Sequence, residues 1–162
     1  MKTFALIVTP LAAALSIAVA GPALAASPHF VSASAAQSGN GIAVSFKEAG
    51  LGSSTTVTVK AEAVYSAVFQ CINGGGKNPS AANKTTVNGS AAESGSFTSG
   101  KNGQVTGSLT LPAPTVQDNG FTCPSGQKET LTQLTWSDIT LHDLTSGAST
   151  SLVGGFVLGH TV

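Results

Sequence analysis

The chain has 162 residues, only 9% of them charged, and its seven cations balance its seven anions. Every cation is a lysine. With no arginine to fork onto phosphates or guanine edges, the sequence argues against a nucleic-acid partner. The low charge alone would fit a disordered chain, but the regular apolar alternation that follows fits a folded one.

The N-terminus reads as an export signal. Met1-Lys2 gives a brief positive start, an apolar run extends from Phe4 through Val19, and Ala23-Leu24-Ala25 offers the small-x-small pattern of a cleavage site. A second pattern, Ala18-Val19-Ala20, would place Pro22 just past the cut and fits less well. The expectation is a signal peptide over 1–25 and a single domain over 26–162. Pro10 and the alanine-diluted run suit a removable segment better than a membrane anchor. No later apolar stretch is long enough to span a bilayer, and "LPAP" at Leu111 to Pro114 lacks the threonine and glycine of a wall-sorting signal. The mature chain would carry six lysines against seven acidic groups.

Beyond the signal, period-two alternation dominates. His29 to Ala35 pairs as a strand with Ile42-Val44-Phe46, across the turn cluster Gln37 to Gly41. The clearest strand runs from Val57 to Cys71, where odd positions are apolar and even ones mostly polar, with Val64 and Val68 as exceptions. Lys84 to Ala92 reads as a weaker edge strand, and Val105 to Leu111 as another strand. From Leu131 to Leu144 the parity switches between Trp136 and Ile139, which predicts a bulge near Ser137-Asp138. Ser151 to Leu158 would close the fold, with Gly154-Gly155 permitting a bend. No helical period or internal repeat is evident. The predicted fold is all-β: an antiparallel β-sandwich, immunoglobulin-like in the broad sense, of seven to nine strands, with a β-barrel as the alternative.

Cys71 and Cys123 make an even count, and in an oxidising compartment they predict one disulfide. Cys71 falls on the inward face of its strand, where a bridge joining two sheets would have to point. A zinc site would need histidines nearby to complete four ligands, and none is close in sequence.

Few residues point to chemistry. "CINGGGKNPSAANK" from Cys71 to Lys84 superficially resembles a phosphate loop, but Lys77 is followed by Asn78-Pro79 rather than Ser or Thr. At most Asn78 and Pro79 start a single helical turn; the segment reads as a turn tied down by its cysteine. Asp138 and His142 lie roughly 13 Å apart along a strand, so with a serine they would form a triad only through distant loops. Adjacent His142 and Asp143 point to opposite faces. His29 lies near the expected mature terminus, where Pro28 spoils a chelate, and His160 sits in the tail. No catalytic, cofactor or metal site is expected. Scattered acids give no pair at glycosidase spacing. Trp136 reads as a core residue in preference to a sugar platform. Asn83 and Asn88 open glycosylation-type triplets, which mean little outside a eukaryotic secretory pathway.

"SFKEAGLG" (Ser45 to Gly52), the Cys71 loop with its "AANK", and "FTCPSGQ" (Phe121 to Gln127) together resemble a group of small secreted actinobacterial proteins without an assigned activity. The resemblance implies an extracellular bacterial setting and carries over no catalytic residue. The expected function is a secreted, non-enzymatic binding, adhesion or envelope-associated module, with cell-wall polysaccharide, another extracellular polysaccharide or a protein as partner. Its recognition loops would be Ile72 to Asn83 and Pro112 to Thr122. The alternatives are a small hydrolase with a loop-built site near His142 and a secreted protease inhibitor with a disulfide-braced loop.

Overall fold

A computed structural model describes residues 27–76, 83–115 and 120–159. The expected signal peptide at 1–25 lies outside the described residues, as do Lys77, Asn78 and Pro79 of the glycine-rich turn and His160. The described chain forms eight strands and no helix: β1 (His29–Ser38), β2 (Gly41–Ala49), β3 (Thr56–Asn73), β4 (Lys84–Thr98), β5 (Val105–Leu111), β6 (Gln127–Asp143), β7 (Ser149–Ser151) and β8 (Phe156–Gly159). They assemble into two antiparallel sheets, β1-β2-β5 and β4-β3-β6 with β7 and β8 both on the far side of β6. The sheets pack face to face as a β-sandwich. The barrel alternative is not adopted, because β1 and β5 end the smaller sheet and β4 ends the larger one.

The alternation in the sequence becomes the two faces of each sheet. On β2, Ile42, Val44 and Phe46 point inward; on β3, Val57, Val59, Ala61, Ala63, Ala67 and Phe69 do so. They meet Leu109 and Leu111 from β5 and Leu134, Trp136, Ile139 and Leu141 from β6 in one continuous core. Val64, one of the two apolar exceptions on β3, faces outward and is exposed. The expected bulge is present. Glu62 pairs with Thr140 and Val64 with Ser137, so two residues of β6, Asp138 and Ile139, oppose Ala63 alone. Asp138 takes a left-handed φ of 50° to make the extra residue fit. After it, Ile139, Leu141 and Asp143 face inward in place of the even-numbered residues.

The sheets differ in length. β3, β4 and β6 have 18, 15 and 17 residues, against 10, 9 and 7 in β1, β2 and β5. The extra inner surface of the larger sheet is covered by the β5–β6 connection, which lays Ala113 and Phe121 against the core. Cys123, in that connection, forms the disulfide with Cys71 near the end of β3, with Cα atoms 5.5 Å apart. The bridge is as expected, but its anchor is not. It ties a strand to the covering connection rather than to a strand of the opposite sheet. Strand β4 is an edge, as expected, and runs to Thr98, six residues past the expected Ala92. The closing strand is two short ones, separated by a bend in which Gly154 has φ 118°.

Candidate functional site

Two carboxyl groups meet inside the sandwich. Glu48, near the end of β2, and Asp143, the last residue of β6, are 0% and 1% exposed. Each continues an inward series: Glu48 follows Ile42, Val44 and Phe46, and Asp143 follows Ile139 and Leu141. One comes from each sheet, and Asp143 acts on the Glu48 carboxyl across the interior. Asp143 is well supplied with donors. Its Oδ1 accepts the Thr145 backbone N–H at 2.8 Å, and its Oδ2 accepts the Ser146 hydroxyl. Its own backbone N–H donates to Ala148 O, and its carbonyl accepts from Gly147 N–H, so it also organises the turn between β6 and β7. Glu48 has no donor on either oxygen. Burial, above all, and then the Asp143 carboxylate push its pKa up to about 7, while the Ser146 hydroxyl and His29 pull it down. Both acids are sealed from solvent, so in this state no substrate reaches them.

Of the residues of the hydrolase alternative, Asp138 sits at the bulge, and His142, four residues on, stands in register with Ser149 of β7. The Ser137 hydroxyl donates to Asp138 Oδ2 at 3.2 Å on the outer face of the bulge. His142 Nε2 lies 4.0 Å from Glu62 Oε2, beside the Lys60–Glu62 ion pair at 2.6 Å. Donation from Lys60 lowers the Glu62 pKa. His142 and Asp143 take opposite faces, as the strand geometry requires. His29 Nδ1 bonds with Ser27 O at 2.8 Å, at the start of β1. Among the described residues no group of three or more His, Cys, Asp or Glu could hold a metal.

Trp136 is 0% exposed, with its ring 5.6 Å from that of Tyr65, edge to face. It is a core residue and offers no stacking surface to a sugar. Its Nε1 has no partner.

Several concavities lie on the described surface. A groove of about 370 Å³ runs between β1 at Ala33–Ala35 and the β7–β8 bend at Leu152–Gly155, with Ile139 in its floor. A shallow hollow of about 430 Å³ lies at the disulfide end between Ile72–Gly74 and Gly126–Lys128. A third, of about 240 Å³, separates Tyr65 and Ser90–Ala92 from Pro112–Thr115. Of the two expected recognition loops, the Cys71–Cys123 bridge brings the start of one, at Ile72, and the end of the other, at Thr122, to the same end, whereas Pro112–Thr115 lies beside Tyr65 and Ser90–Ala92; 77–82 and 116–119 lie outside the described residues.

The outer face of the larger sheet is polar along its central rows. Cross-strand rows place Asn88, Ser66 and Thr135 side by side, then Ser90, Val64 and Ser137, with Thr86, Val68 and Gln133 on the other flank. Hydroxyls and amides dominate it, and its central rows carry no charge. Asn88 belongs to this surface, whereas Asn83 donates through its side chain to Gln127 Oε1 at 3.3 Å. Among the described residues no helix is long and apolar enough to cross a membrane.

No protein-family model, curated protein or solved structure matches the chain.

Proposed function

We propose that this is a secreted, non-enzymatic β-sandwich, immunoglobulin-like in the broad sense, acting as a binding or envelope-associated module for an extracellular polysaccharide. The observation that carries the reading is the hydroxyl- and amide-covered outer face of β4, β3 and β6. Three long, mutually hydrogen-bonded strands hold these groups in fixed rows, so little side-chain and no backbone ordering is needed on contact. Alternating donors and acceptors match a polymer whose own surface is hydroxyl groups, and the lack of charge in the central rows fits a neutral ligand. The apolar N-terminal run and the Cys71–Cys123 bridge support export, because disulfides persist in oxidising compartments.

Co-sedimentation with insoluble cell-wall, chitin and cellulose fractions tests the reading. The expected result is binding to at least one fraction, weakened tenfold or more by Ser90→Glu together with Thr135→Glu. Ser108→Glu, on the outer face of the smaller sheet, leaves binding unchanged. Failure to bind any of the three, or equal loss from Ser108→Glu, overturns it.

A further inference from the structure

We propose that Glu48 and Asp143 form a one-proton latch between the two sheets, which holds the sandwich shut in acid and loosens it as the pH rises past neutrality. The geometry carries the proposal. Two carboxyl groups, one per sheet, are both closed off from solvent and act on each other across the interior. Asp143 is committed as an acceptor to the Thr145 N–H and the Ser146 hydroxyl, which suits its ionised form. Neither Glu48 oxygen has a hydrogen-bond partner; carrying a proton lets Glu48 donate to Asp143, which gives one of them a partner. With that proton the pair holds a single charge and an inter-sheet hydrogen bond. Without it, two buried negative charges face each other, which is the arrangement that cannot persist.

Among the described residues, the titratable groups acting on Glu48 are Asp143 from β6 and His29 from β1, with the Ser146 hydroxyl from the β6–β7 turn. β5 places apolar Val105 in register with Glu48, and β3 places apolar Val59 in register with Asp143. No lysine acts on Glu48 to replace the proton. A metal ion is a poor substitute. Calcium takes six to eight oxygens, and two of the four carboxylate oxygens here already accept hydrogen bonds from the turn.

The sign follows from linkage. Glu48 holds its proton more tightly folded than unfolded, its pKa rising from an ordinary 4.5 to about 7. The stabilisation is complete below the ordinary glutamate range and is lost as pH climbs through about 7. Over that interval the folded-to-unfolded ratio falls by up to about 300-fold. The β6–β7 turn and the first residues of β1 should open first, since Asp143 and His29 sit at those ends.

Urea unfolding of the wild type and Glu48→Gln between pH 5 and pH 9 tests the latch. Glutamine keeps the shape and a donor for Asp143 but cannot ionise. The wild-type midpoint should fall toward pH 9, and the variant's should stay level and exceed the wild type's at pH 9. His29 is intact in the variant, so a fall surviving Glu48→Gln would overturn the proposal, as would a level wild-type curve. Should the variant not fold, carbon-13 titration of the wild-type carboxyl groups decides. A glutamate titrating near neutrality supports the latch; all carboxyl groups titrating below pH 5 overturn it.

Discussion

Phe46 and Phe97 meet edge to face across the sandwich, their ring centroids 5.0 Å apart and their planes at 89°. One belongs to the smaller sheet and one to the larger, and Phe30 on β1 extends the series with its ring 5.8 Å from that of Phe46. Room for the pair comes from Gly107, which stands opposite Phe46 in register. A methyl group at Gly107 would overlap both rings. Phe46→Ala should therefore cost about 3–5 kcal/mol and Gly107→Ala about 1–3 kcal/mol through overpacking. Chemical denaturation measures both. A neutral Gly107→Ala would mean that the rings have space the packing does not show.

Removing the disulfide releases a covalent loop spanning a sequence separation of 52. Cys71→Ser with Cys123→Ser should lower stability by about 4 kcal/mol, with the loss reproduced by reductant in the wild type and absent for reductant on the double variant. Thiol alkylation of the untreated protein should label neither cysteine.

Asp143 organises the β6–β7 turn through its side chain. Asp143→Ala leaves the Thr145 N–H and the Ser146 hydroxyl without their acceptor, an expected loss of about 1–3 kcal/mol. Hydrogen exchange should locate the weakening at Thr145 and Gly147 before it reaches the amides of β3.

Trp136 is the only tryptophan, so its fluorescence reports on the core directly. Emission should be blue-shifted and poorly quenched by iodide, moving red only on global unfolding. Polysaccharide binding at the outer face should leave it unchanged. Quenching by a bound sugar would contradict the burial of the ring.

Asp138 occupies the left-handed region at φ 50° with its side chain exposed. Asp138→Gly should be neutral or slightly stabilising, whereas Asp138→Val should cost about 1–2 kcal/mol. Thermal melts of the two variants against the wild type separate the outcomes.

Much of the fold was legible because alternation reports directly which side chains face inward. The Val57–Cys71 series, the outward Val64 and the parity break at Ser137-Asp138 all reappear in the sheets. The anchor of Cys123 was not legible, since alternation describes one strand at a time and says nothing of which distant segment covers it. The buried acids show a different failure. Glu48 continues the parity of Ile42, Val44 and Phe46, and Asp143 continues that of Ile139 and Leu141. Their positions were readable, but a charged residue is ordinarily assigned to solvent, and its partner lies on a strand 95 residues away in the sequence. The Phe46–Phe97 contact was hidden for the same reason, although Gly107 in the middle of a strand marked where something had to come close.

The span between the two half-cystines encloses β4 and β5. A protease that cuts the backbone once anywhere within that span would release nothing. The severed halves would stay shackled through sulfur and would part on a denaturing gel only after reduction.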